Sequence, residues 1–96
     1  MKTHAMRPIG DALREMMEEL GLGAKMREYD VVNLWPSIVG EQISRVTTAE
    51  SIAGGKLLVR VTRATWRNEL VFLKTELITR INAVMKEEIV KDIIFR

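Results

Sequence analysis

With 96 residues, of which 47% are hydrophobic and 29% charged, the chain has the size and composition of one globular domain with one hydrophobic core. The absence of cysteine excludes disulfide bonds and thiolate chemistry, and no apolar run approaches the length of a membrane span. The formal net charge is +2, yet residues 56–80 hold six Lys or Arg against two Glu. We therefore predict a cytoplasmic protein with a flexible N-terminus at residues 1–8, a single domain over residues 9–96 and its positive charge on one face.

The first predicted element is an amphipathic helix that ends at Gly21 and Gly23. Its apolar residues recur at intervals of three and four, which is the spacing of one helical face: Ile9, Leu13, Met16, Met17 and Leu20. We interpret the methionines of the predicted helices as core residues rather than as a binding groove: Met16, Met17, Met26 and Met85.

A second helix is predicted from about Ala24, and it forms a hairpin with the first. Pro36 disfavours a helical conformation at Trp35, so this helix should kink or restart there. Gly40 is its candidate end.

Short β-branched segments follow and predict two strands, Val46–Ile52 and Lys56–Val61. The sequence Ala53-Gly54-Gly55 between them favours a tight hairpin, because glycine readily adopts the positive φ that such turns need. Apolar and other residues alternate along the second strand, so Arg60 should point away from the core.

The longest predicted helix begins near Thr65, its candidate N-cap. It carries an apolar stripe at helical spacing: Trp66, Leu70, Leu73, Leu77, Ile81 and Val84. The isoleucine-rich segment Ile89–Phe95 predicts a last strand, parallel to the hairpin strand that precedes the helix, with the helix as a right-handed crossover.

These elements predict an α+β fold in the order helix, helix, strand, strand, helix, strand, with helices covering one face of a three-stranded sheet. Large aromatic and leucine side chains dominate the cores of small domains. We therefore predict as structural anchors Trp35, Trp66, Leu70 and Leu77.

A search for catalytic chemistry yields no candidate. His4 is the only histidine, so one chain cannot assemble a multi-histidine metal site or a histidine-based triad. The segment Gly54-Gly55-Lys56 lacks the remainder of a phosphate-binding P-loop. We predict a protein that is not an enzyme and has no metal, cofactor or small-molecule substrate.

The segment KLLVRVTRATWRNELVFLK, residues 56–74, places cations where acids are normally found. Arg63 precedes the long helix and Arg67 lies in its first turn, although the positive end of the helix dipole favours acids there. Helical spacing places Lys74 on the same flank as Arg67. We predict that Arg60, Arg63, Arg67 and Lys74 bind nucleic-acid phosphates.

The alternative for these cations is ordinary surface pairing. In that interpretation Arg63 and Arg67 form ion pairs with acids such as Glu69 or Glu50 and only make the surface more soluble.

Four short patterns follow one another along the chain: Trp35 with Val39-Gly40, Gly55 with Leu57, Val59 and Val61, Trp66 with Glu69-Leu70, and Ile93 with Phe95-Arg96. In this order and spacing they resemble the DciA family of bacterial replicative-helicase loaders. The resemblance covers nearly the whole chain from about Ile9.

This resemblance implies a non-enzymatic KH-like domain that binds the replicative DNA helicase, assists its recruitment or loading, and has affinity for DNA. KH domains grip nucleic acid through a GxxG loop, which neither Gly21-Leu22-Gly23 nor Gly54-Gly55 matches. Contacts with DNA should therefore reach the phosphate backbone and be indifferent to sequence. Two alternatives remain: a small KH-like RNA-binding module acting at the ribosome or on transcripts, and a dimerising adaptor.

Overall fold

The computed structural model describes residues 9–96, so the predicted flexible segment at residues 1–8, with His4, lies outside the described residues. Within the described range the helices are α1 Ile9–Glu19, α2 Gly23–Val39, α3 Glu41–Ser44 and α4 Ala64–Met85. The strands are β1 Thr47–Ala53, β2 Lys56–Val61 and β3 Asp92–Phe95. The predicted α+β class and element order are confirmed, and the single-turn helix α3 is an addition to them.

The three strands form one mixed sheet with β2 at its centre. β1 pairs with β2 antiparallel, and β3 pairs with β2 parallel, with α4 as the connection. Gly54 and Gly55 turn the chain between β1 and β2 with φ values of 58° and 80°, which explains why glycine occupies both positions.

One face of the sheet is covered by helices and the other is open. Leu57, Val59 and Val61 of β2 are 0–5% exposed and pack in the core, whereas Arg60 between them is exposed. The predicted alternation of β2 is therefore confirmed, and it places Arg60 on the open face.

The helix α4 supplies much of the core. Leu70, Leu77 and Ile81 are each 0–1% exposed, and Trp66 is partly buried against them. The stripe fades before the helix ends, because Val84 is 51% exposed.

The N-cap of α4 lies two residues before the predicted one. The N-cap is Arg63, and its extended backbone leads into a helix that begins at Ala64. Thr65 is therefore a residue of the first turn rather than the N-cap, and the Arg63 side chain makes no capping hydrogen bond.

The helix α2 holds the other half of the core through Trp35, which is 1% exposed. Its indole Nε1 donates a hydrogen bond to Thr47 Oγ1 (2.9 Å), and the Thr47 hydroxyl donates to the Ile43 carbonyl oxygen (2.7 Å). The predicted restart at Pro36 does not occur. Pro36 lies in the last turn, where its missing N–H removes a single helical bond, and α2 continues to its C-cap at Gly40.

The interpretation of the methionines as core residues is wrong for Met16. Helix α1 packs on α2 alone among the helices and strands within residues 9–96, and none of its residues is buried. Met16 is 49% exposed because, among the helices and strands of residues 9–96, α2 is the single element that packs on α1. Met85, in contrast, packs against the core.

Candidate nucleic-acid interface

The junction between β2 and α4 consists of Thr62 and Arg63. The Arg63 carbonyl accepts the backbone N–H groups of Trp66 and Arg67 at 3.1 and 3.2 Å, which starts the helix. The first turn contains no acidic residue, and the side chain of its N-cap residue makes no capping hydrogen bond. Its partial positive charge is consequently not offset by a carboxylate within that turn.

Arg63 and Arg67 add two full positive charges at this end of α4. Neither forms an ion pair or side-chain hydrogen bond with any residue in the range 9–96, so the alternative pairings with Glu69 or Glu50 are absent there. Arg63 is exposed, whereas Arg67 is partly buried and its Nε is shielded from solvent without an acceptor among the described residues. An unsatisfied buried donor is costly, so Arg67 would gain from an anionic or carbonyl oxygen beside it.

Arg60 and Lys74 are in a different state, because both have acidic partners. Arg60 Nη1 lies 3.3 Å from Glu50 Oε2, and Lys74 Nζ lies 3.1 Å from Asp92 Oδ1. The hydrogen bond from Lys74, together with that from the Ile93 backbone N–H, holds the pKa of Asp92 below its ordinary value of 3.8. A phosphate at either cation would have to compete with a carboxylate that is already in place.

Sequence reasoning missed Arg96 as a member of this surface. Its N–H donates to the Val59 carbonyl (2.9 Å) and its carbonyl accepts the Val61 N–H (2.6 Å), which extends the parallel pairing of β3 with β2. Arg96 thereby comes beside Arg60, and its Nη2 lies 3.4 Å from Glu50 Oε1. The predicted parallel strand brings the end of the chain beside β2, but only the observed register, with Val59 opposite Phe95, places residue 96 opposite residue 60.

Glu50 reaches both arginines because of an irregularity in β1. The β1–β2 register shifts between Ala49 and Ser51, so Glu50 is an extra residue in its strand. Such bulges redirect a side chain relative to the regular alternation. The four predicted cations thus divide into a pair at the start of α4 without acidic partners, Arg63 and Arg67, and two cations that neighbouring acids compensate.

The rest of the described chain offers no other chemistry of this kind. Across residues 9–96, no group of three or more His, Asp or Glu residues is arranged to hold a metal ion. In the same range, none of the helices combines the length and apolar character that crossing a membrane requires.

Comparison with known proteins gives one consistent result. A family model described as "Dna[CI] antecedent, DciA" matches residues 8–95. A UPF0232 protein of Mycolicibacterium smegmatis is 26% identical over 82 residues, covering 85% of this chain and 42% of that protein. UPF0232 proteins of Mycobacterium ulcerans and Mycobacterium marinum are each 25% identical over 88 residues, covering 92% of this chain and 47% of theirs. The chain therefore spans less than half the length of these relatives.

Proposed function

Because this chain belongs to the DciA family, we propose that it is a DNA replication factor that binds the replicative helicase and assists its recruitment or loading on DNA. The observation that carries the proposal is the family match over residues 8–95, together with a fold in the order expected for a KH-like domain. The proposed role is non-enzymatic and cytoplasmic, where bacterial replication takes place.

The proposed affinity for DNA belongs to the start of α4. Arg63 and Arg67 would donate charge-assisted hydrogen bonds to a phosphate at a helix N-terminus, whose own N–H groups favour anions. Arg67 Nε, shielded and without an acceptor, supports this assignment over a purely solvated surface. Arg60 and Lys74 contribute to the positive electrostatic field of this surface. Arg60 would contact a phosphate only by giving up its ion pair with Glu50, and Lys74 only by giving up its pair with Asp92.

Direct binding of the helicase is the first test. The purified domain, shown to be folded by circular dichroism, is titrated with the purified cognate helicase in a calorimeter, with and without nucleotide. We expect binding, and no nucleotide hydrolysis by the domain alone. A folded domain that does not bind its cognate helicase would contradict the proposal and would leave an RNA-binding module as the leading interpretation.

The DNA contact is tested by salt titration with two charge-matched double variants. Arg63→Ala with Arg67→Ala should weaken binding to unrelated DNA sequences equally, and should reduce the salt slope by about 0.7 to 0.9 for each of two lost phosphate contacts. Lys25→Ala with Lys91→Ala removes the same charge from exposed positions away from the start of α4, since Lys91 lies over Gly55 at the other end of β2, and should leave the slope nearly unchanged. Equal slopes for the two double variants would contradict a site at α4.

A further inference from the structure

Two arginines on the open face of the sheet converge on one carboxylate. Arg60 of β2 and Arg96, the residue after β3, lie opposite each other on strands about 4.8 Å apart. Glu50 Oε2 is 3.3 Å from Arg60 Nη1, and Glu50 Oε1 is 3.4 Å from Arg96 Nη2. Each carboxylate oxygen therefore faces a different guanidinium group. We call Arg60 and Arg96 the arginine pair, and in this structure the pair holds an anion supplied by the chain itself.

The arginine pair favours an anion because two like charges are neighbours on adjacent strands. Side chains of the same sign that lie opposite each other in a sheet repel. Glu50 offers one negative charge to two positive charges, which leaves the cluster with a net charge of +1. A phosphate of nucleic acid also carries one negative charge, and its oxygens accept hydrogen bonds from guanidinium groups as a carboxylate does. The sign and the geometry of the pair therefore suit a phosphate.

Glu50 is held loosely enough to be exchanged for another anion. Both distances exceed the roughly 2.8 Å that is typical of a strong charge-assisted hydrogen bond. The side chains of Arg60 and Arg96 are 58% and 65% exposed, and ion pairs at such positions contribute little to stability. Glu50 is also the extra residue of the β1 bulge, so no residue of β2 is paired with it. Its carboxylate can therefore withdraw without disturbing the pairing of the sheet.

The arginine pair adjoins the start of α4. Arg63 follows Arg60 by three residues, so the two backbones are no more than about 10 Å apart at 3.3 Å per residue. One strand of duplex DNA carries a phosphate about every 3.4 Å along its axis, so this distance spans about three nucleotides. A phosphate held by Arg63 and Arg67 would keep another phosphate of the same molecule at high effective concentration beside the arginine pair. This continuity favours nucleic acid over an acidic protein as the ligand.

We propose that the arginine pair is a second phosphate-binding site and that Glu50 closes it in the free protein by taking the place of a phosphate. This inference rests on the DNA affinity proposed above, and it extends the DNA-binding surface from the start of α4 onto the adjoining end of the open sheet face. Glu50 thereby limits the affinity for DNA, because a phosphate must displace its carboxylate before the arginine pair can contribute.

Substitution of Glu50 tests the site. Glu50→Gln keeps the shape of the side chain and removes its charge, so a phosphate no longer competes with a carboxylate. The whole chain is titrated with duplex DNA of unrelated sequences over a range of salt concentrations. We expect Glu50→Gln to bind about tenfold more tightly at low salt, as one additional charge-assisted contact implies. The salt slope should become steeper by about 0.9, the value for one additional phosphate.

Glu69→Gln is the matched control. Glu69 is exposed on α4, two residues after Arg67, and forms no ion pair with any residue in the range 9–96. Its substitution removes the same charge near the start of α4 and leaves Glu50 on the arginine pair. We expect the affinity to change by less than about twofold and the slope to remain that of wild type, since an exposed charge is largely screened. Equal gains in the two variants would mean that Glu50 acts through overall charge alone and would overturn the site.

The arginine pair itself is tested in the Glu50→Gln background. Arg60→Gln with Arg96→Gln removes both guanidinium groups and should abolish the gain in affinity and the added slope, because the two effects belong to one cluster. A gain that survives these substitutions would overturn the assignment to the arginine pair. The side chains of both arginines are more than half exposed, so the variants should fold as the wild type does, which circular dichroism checks.

The remaining outcomes separate this inference from the function on which it rests. A wild-type chain that binds neither the helicase nor DNA would contradict the proposed function, and this inference with it. Wild-type binding to DNA that Glu50→Gln leaves unchanged in affinity and slope would overturn only the second phosphate site. A Glu50→Gln variant that binds the helicase more tightly and DNA as the wild type does would assign the arginine pair to an acidic protein surface and overturn phosphate as its ligand.

Discussion

Helices α1 and α4 carry the same kind of apolar stripe, and only one of them is buried. On α4, Leu70 and Leu77 are 0% and 1% exposed, whereas on α1 Ile9 and Leu20 are 81% and 67% exposed. Helix α4 packs against α2, β2 and β3, while α1 has α2 as its single neighbour among the described helices and strands. Periodicity therefore indicates which side of a helix is apolar, and topology decides whether the domain itself covers that side.

The largest difference in stability is expected between two truncations to alanine, one in the stripe of α4 and one in the stripe of α1. Leu77→Ala removes a buried side chain, so it should lower the free energy of unfolding by about 2 to 5 kcal/mol. Leu13→Ala removes a side chain that is already 49% exposed and should cost less than about 1 kcal/mol. Urea denaturation followed by tryptophan fluorescence measures both. Equal losses in the two variants would mean that α1 is part of the cooperative core after all.

The same comparison shows what could be predicted from the sequence. The order of elements followed from hydrophobic spacing, and the bounds of β2 were predicted to the residue because a Gly-Gly turn and an alternating pattern define them. The exposure of α1 could not be predicted, since the sequence shows the stripe of a helix and not its neighbours. Met16 was misassigned for this reason.

The last strand was predicted three residues too early, and Asn82 explains the difference. Its side-chain Oδ1 accepts the backbone N–H groups of Ile89 (3.1 Å) and Val90 (3.0 Å), and its Nδ2 donates to the Val90 carbonyl (2.9 Å). These backbone groups are thus held by α4 and are not free to pair with β2, so β3 begins at Asp92. Propensity alone favours a strand for this isoleucine-rich segment, and a long-range side-chain contact overrides it.

Some features of the candidate site could likewise be predicted from the local sequence, and others could not. Cations at the β2–α4 junction follow directly from the local sequence, which places Arg63 and Arg67 at the start of a helix. The compensation of Arg60 by Glu50 depends on the bulge in β1, and that of Lys74 by Asp92 depends on the position of β3. Both partners are distant in the sequence, so no local pattern could assign them.

The next largest loss of stability is expected at α2, which contacts α1 on one side and packs into the core on the other. Thr47→Val keeps the volume but removes the hydroxyl that accepts the Trp35 indole N–H and donates to the Ile43 carbonyl. A buried indole donor without an acceptor should lower the free energy of unfolding by about 1 to 3 kcal/mol. Thr47→Ser retains the hydroxyl and serves as the control, with a smaller loss from one missing methyl group. A Thr47→Val variant as stable as Thr47→Ser would show that the indole finds another acceptor.

A smaller change, and for α4 a gain in stability, is expected at the C-terminal ends of α1 and α4. Both close with the same pair of backbone bonds: Gly21 and Leu22 donate to Glu18 and Met17, and Lys86 and Glu87 donate to Ala83 and Asn82. The residue with positive φ is a glycine after α1 (79°) and a lysine after α4 (58°).

Only glycine adopts this conformation without a steric cost from Cβ, so Lys86→Gly should stabilise the protein by up to about 1 kcal/mol. Gly21→Ala should instead weaken α1, measured as faster amide hydrogen exchange along that helix. A destabilised Lys86→Gly variant would indicate that the lysine side chain makes a contribution larger than its backbone strain.

The smallest effect concerns the ion pair that attaches α4 to β3. Because the folded-state pKa of Asp92 is lowered, chiefly by Lys74, the pair adds stability above the unfolded-state value of 3.8 and loses it as the pH falls through the lower folded-state value. Asp92→Asn should therefore be less stable than wild type at pH 7, by a small margin because both side chains are partly exposed, and urea titrations should show this difference shrinking as the pH falls below 3.8. In a Lys74→Met background, Asp92→Asn should cost less stability at pH 7, because the ion pair between the two side chains is already lost. The hydrogen bond from the Ile93 N–H to Asp92 Oδ1 remains in that background. If the stability difference between wild type and Asp92→Asn instead grew as the pH fell, the Asp92 carboxylate would be less favoured in the folded protein than in the unfolded chain. The apolar stripe of α4 alone would then join this helix to β3.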